Sequence, residues 1–144
     1  MLPGSHSRGH ASERPRARTG LAGGALDAAN TGLALVVEVP FNTDGTAGTA
    51  AEFVATDRDG LAGVDGLAVD SAGTLYAAIF GKNPIASIVP SGRVSVISSG
   101  APYDSPASLV LDEAAKTLFL TNLAYGIATT GGMPKPGILS LPLP

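Results

Sequence analysis

The chemistry available to this 144-residue sequence rests on oxygen: it has 12 acidic residues, two histidines and no cysteine. Without a thiolate there is no cysteine nucleophile, disulfide or thiolate metal site. His6 and His10 stand four apart, as two ligands on one helical face would. Gly4, Gly9 and Pro3 oppose a helix there and no third ligand is near, so the pair reads as part of a solvated tail. The remainder therefore lacks a histidine for a catalytic triad or a zinc site. No G-x-S-x-G, H-E-x-x-H, G-x-G-x-x-G or P-loop occurs. Asp57-Arg58-Asp59-Gly60 opens like an EF-hand loop, but the later ligands and the closing Glu do not follow, and it reads as a turn.

Carboxylates remain. Asp70 sits in the triplet Ala68-Val69-Asp70, which lines up with Ala25-Leu26-Asp27 and Val110-Leu111-Asp112 at spacings of 43 and 42. A carboxylate that recurs in every unit is expected to be structural, accepting the N–H groups of a turn. Asp65 does not recur, because Pro106 and Ala107 fill the matching place in the third unit. A carboxylate that breaks the repeat at a channel mouth is the better candidate for holding a ligand.

The elements that must position Asp65 are strands. From Val64 to Gly100 the apolar runs GLAVD, TLYAAIF, IASIV and RVSVI are separated by Ser-Ala-Gly, Gly-Lys-Asn-Pro and Pro-Ser-Gly. Short apolar runs rich in Val, Ile and Leu between such breakers are antiparallel strands on tight turns. Four per 40-odd residues, repeated, is the grammar of a β-propeller blade. The expected fold is all-β, a partial propeller of two and a half to three four-stranded blades. In it Asp65 opens an innermost strand, facing the central channel. Strands are expected throughout 33–122, with no helix beyond about two turns. In the first unit Asp27 is only 13 residues from Pro40, against 20 from Asp70 to Pro90, which reads as a strand missing after Asp27. Asp44-Gly45 marks a hairpin.

Residues 1–20 carry Arg8, Arg14, Arg16 and Arg18 against Glu13, with no apolar period. They read as a disordered basic tail ahead of an incomplete propeller domain at 21–144. The domain itself is acidic, which disfavours nucleic acid as a partner. GLALVVEVPF is broken by Glu38 and Pro40, so no membrane span is read, and no secretory signal is visible. Compartment is not legible. Three blades do not close a ring, so the end blades expose apolar faces and edges through which copies could associate.

GVDGLAVDSAGTLYAAIFGKNPIASIVPSG resembles the SMP-30/gluconolactonase/LRE-like family of six-bladed propellers, in its Asp-Gly motif, its D-x-x-G-x-L turn and its closing P-x-G. VVEVPFNTDGTAGTAAEFVATDRDG before it and SPASLVLDEAAKTLFLTN after it are similar to the family's flanking segments, so the likeness runs over roughly 24–126. The resemblance implies a lactone or sugar-like small substrate and one divalent cation, Ca²⁺ by its hard oxygen ligands. It assigns Asp65 as a ligand of that metal and so a catalytic residue, with Val64 in place of the family's Pro. The family's other ligands, a Glu near the N-terminus and an Asn of an Asn-Gly pair, have no counterpart here. The expectation is a C-terminal fragment of a lactone hydrolase, inactive alone. The alternative, from a different class, is a non-catalytic NHL-like propeller module that binds a partner through its rims.

Overall fold

The computed structural model describes residues 24–53 and 58–144. Its ten strands, counted over those residues, form three antiparallel sheets. The first has β1 (Ala25–Asn30), β2 (Leu35–Pro40) and β3 (Ala51–Glu52) in that order. The second holds β4 (Val64–Val69), β5 (Leu75–Ile79), β6 (Ile85–Ile88) and β7 (Val94–Ser98), again in chain order. The third places β9 (Thr117–Asn122) between β8 (Pro106–Asp112) and β10 (Gly137–Pro142). The one α-helix among the described residues, α1 (Tyr125–Thr129), is five residues long, and a single 3-10 turn spans Asp59–Leu61. The all-β fold and the partial propeller expected from the repeat are what the chain forms.

Alternation along β5 shows how the sheets stack. Leu75, Ala77 and Ile79 point to one side and join Val36 and Phe53 of the first sheet in one core cluster. Tyr76 and Ala78 point to the other side and join Leu118 and Leu120 of the third sheet in a second cluster. The middle sheet is thus covered on both faces. This explains why its strands read as continuous apolar runs and not as alternating ones.

The third sheet repeats the first three strands of the second. Both inner strands carry one extra residue at the same place: Val64 and Leu67 pair with Ile79 and Ala77, Pro106 and Leu109 with Asn122 and Leu120. Leu109 and Leu111 face the middle sheet while Val110, the counterpart of Ala68, is 61% exposed. Phe119 and Ile138 likewise occupy the places of Tyr76 and Ile85, yet they are exposed while Ile85 is wholly buried.

The first unit departs from expectation. β1 packs against β4 as β5 packs against β8, so β1 is the counterpart of β5 and not of β4. Asp27 lies inside β1 opposite Glu38, three residues short of the strand's end. It is therefore not equivalent to Asp70 and Asp112. No strand is missing after Asp27: β1 runs on to Asn30, whose Oδ1 accepts the Leu33 N–H at 3.0 Å to close the hairpin into β2. Among the described residues the strand without a counterpart in this unit is the innermost one. An apolar pair followed by Asp is too short a signature to set register; the pairing of β1 with β2 sets it. The proposed hairpin at Asp44-Gly45 does form, with Gly45 at φ +82° and β2 pairing β3 across it.

Candidate functional site

Asp65 stands in the bulge of β4, one residue after fully buried Val64, and its side chain is exposed. A bulge re-aims the side chain it carries, which is why bulges collect beside functional sites. Gly66 follows because the two inner strands touch there. A Cβ on Gly66 would collide with the Ala107 carbonyl and come within 2.7 Å of the Ser108 Cα, all of it backbone. The residue matching Asp65 in β8 is Ala107, so the bulge recurs and the carboxylate does not.

Several turns build the rim around this end of β4. The Phe80 N–H donates to the Gly63 carbonyl at 2.8 Å, and Gly63 holds φ +91° with Gly81 against it. Asn83, itself at φ +64°, accepts the Ser105 N–H through Oδ1 at 2.8 Å and so ties the middle sheet to the third. Asp104, beside it, is 9% exposed. Its Oδ1 accepts the Gly126 N–H and its Oδ2 the Ile127 N–H, both at 2.9 Å, at the start of α1. The Ser105 hydroxyl donates to Oδ1 as well, at 3.2 Å, and the Asp104 N–H donates to Asn122 Oδ1 at 2.7 Å. The Ile127 N–H is the chief cause that holds the Asp104 carboxyl below the usual range; burial opposes it, and Gly126 and Ser105 reinforce it. Every oxygen of this latch is engaged, so it is a clamp on the rim and not a ligand set. Nothing in the sequence singles out Asp104 or Asn83: the Gly126 and Ser105 N–H groups that their side chains accept each lie 22 residues away.

The opposite end of β4 carries the structural carboxylates. Asp70 Oδ1 accepts the Thr74 N–H at 2.7 Å and Asp112 Oδ1 the Ala115 N–H at 2.9 Å, the turn role expected of them. Beside them a cleft of about 350 Å³ is lined by Asp70, Tyr76, Leu111, Glu113, Lys116 and Leu143, with Pro144 at its edge. Burial, reinforced by the Asp70 charge, raises the Tyr76 hydroxyl above its ordinary value. Its polar groups are already spoken for. Tyr76 donates to Asp70, Glu113 accepts the Ser71 N–H and hydroxyl, and Lys116 donates to the Pro144 carbonyl.

The test of a cation at Asp65 follows from the donor set. A Ca²⁺ ion takes roughly 6–8 oxygens. Among the described residues no three His, Asp or Glu side chains come together in a way that could hold a metal. Asp65 contributes one carboxylate, and the described residues do not complete a site around it.

Residues 26–124 match the SMP-30/Gluconolactonase/LRE-like region, and the chain belongs to that family. Solved structures of similar fold include a nidogen/laminin complex, with TM-score 0.57 and 22% identity over 68% of this chain. Another is a calcium-binding protein, regucalcin, from Agrobacterium tumefaciens strain C58, with TM-score 0.55 and 20% identity over 77% of this chain. The chain spans only 36% and 40% of those two, less than half of either. No curated protein matches it. Among the described residues no helix is long and apolar enough to cross a membrane.

Proposed function

We propose that this chain is a portion of a gluconolactonase-like propeller that carries one ligand position for a divalent cation, Asp65, and hydrolyses no lactone by itself. The observation that carries this reading is the exposed Asp65 in a bulge whose counterpart in the next sheet holds Ala107. Family membership and the calcium-binding title of the regucalcin neighbour support a cation of hard oxygen preference as the ligand. With a single carboxylate in place, this chain's own contribution is to present that ligand on a rim held rigid by Asn83 and Asp104.

The measurement is thermal unfolding with and without Ca²⁺, for the chain and for Asp65→Ala, alongside a lactonase assay. The expected result is weak stabilisation by Ca²⁺ that the substitution removes, with no turnover. An identical Ca²⁺ response in both proteins, or lactone turnover by either of them, sinks the reading.

A second reading, a non-catalytic NHL-like module that binds a partner protein, has its own support. Leu123, Tyr125, Ile127 and Met133 are all exposed on the segment around α1. Phe80 backs Tyr125 with ring centroids 5.9 Å apart. Exposed aromatic and Met side chains on a loop are what a protein partner would engage. Tyr125→Ala abolishing capture of such a partner, with Asp65→Ala silent, would favour this second reading.

A further inference from the structure

We infer that the uncovered face of the third sheet is an interface for a second copy of this chain, which lays the outer side of its first sheet there, head to tail. The argument is one of continuity. Between sheets two and three, Ala68, Tyr76, Ala78 and Ile85 of one sheet meet Leu109, Leu111, Leu118 and Leu120 of the next. The third sheet presents the same face again, one step further on. Val110, Phe119, Thr121 and Ile138 stand in the places of Ala68, Tyr76, Ala78 and Ile85, and Val110, Phe119 and Ile138 are 61%, 40% and 75% exposed. No residue among these four carries a charge, and of their in-facing equivalents Ala78 and Ile85 are buried and Ala68 and Tyr76 half-buried.

The packing has a direction, and that direction selects the occupant. Each sheet offers its forward face to the rear face of the next, so a free forward face fits a free rear face and not another forward one. The rear face exists on the same chain. On β1, Ala29 points to the middle sheet with Val36; Leu26, which pairs with Val39, is on the other side and is 56% exposed. Two such ends on one chain make a heterologous contact, which yields a ring when the rotation closes.

Light scattering on the size-fractionated full chain, across a dilution series, reads the assembly directly. A dimer that dissociates on dilution is expected, and a strict monomer at every concentration overturns the proposal. Phe119→Glu and Leu26→Glu each place a charge at an exposed position, so each chain should keep its strand circular dichroism yet fail to dimerise. Mixing the two variants should restore a dimer, because one of its two contacts is then wild type on both sides. If Leu26→Glu still dimerises while Phe119→Glu does not, the third sheets meet each other and the head-to-tail assignment is wrong.

Discussion

The second and third sheets share the pattern of three strands, and over those strands they differ first in what covers them. Ile85 is wholly buried and its counterpart Ile138 is 75% exposed; Tyr76 meets a neighbour and Phe119 does not. The apolar residues are in place in both. What this teaches is that the forward face of the third sheet is written for a neighbour in the same terms as the middle sheet's, and that burial in this fold is conferred by the next sheet and not by the strand itself. The two sheets also differ in the one residue that bears on chemistry: the shared bulge holds Asp65 in one and Ala107 in the other.

The contact that joins the two sheets is the place to break the comparison most severely. Gly66→Val sets a branched side chain against the Ala107 and Ser108 backbone, which has no rotamer with which to yield. The expected cost exceeds the ~1–3 kcal/mol usual for overpacked cores, and the midpoint of urea unfolding should collapse. Gly81→Ala, where nothing lies within 4 Å of the added atom, is the matched control and should leave the midpoint nearly unchanged.

Truncating the two equivalent isoleucines measures the difference in cover itself. Ile85→Ala removes a side chain with no exposed area, at a cost of about 2–5 kcal/mol. Ile138→Ala, measured at dilutions where the chain is monomeric, should stay within about 0.5 kcal/mol. Equal losses in calorimetry at the two sites would show that the third sheet is already covered in the monomer.

The latch at the rim gives the smallest effect, and it depends on pH. Asp104 is held below its ordinary value when folded, chiefly by the Ile127 N–H, so folding favours its ionised form. Its stabilising contribution is complete above the normal carboxylate range and is lost as pH falls through the lowered folded value. Asp104→Asn should therefore lower stability at neutral pH and flatten the acid limb of the stability curve. An acid limb unchanged by the substitution would assign the acid sensitivity to another carboxylate.

Much of the architecture was legible because strands of a propeller are local objects. The runs TLYAAIF and IASIV, with Gly-Lys-Asn-Pro between them, declare β5, β6 and their turn without help from elsewhere. Asp70 and Asp112 were also legible, since each accepts an N–H from three or four residues on. Asp27 misled for the opposite reason. Its triplet mimics theirs, but its place is set by pairing with Glu38 and by β1 lying against β4, neither of which a three-residue match can register.

By itself, then, the sequence determined that short strands would form, where their turns would fall and which carboxylate would be out of step with the repeat, because those follow from residue types a few positions apart. Only the tertiary structure decided which strand of the first unit matches which in the second, that Gly66 is there to let two inner strands touch, and that Asp104 and Asn83 clamp the rim. Those outcomes come from segments tens of residues apart brought into contact, where hydrogen bonds and van der Waals radii, not local preference, choose between otherwise similar alignments.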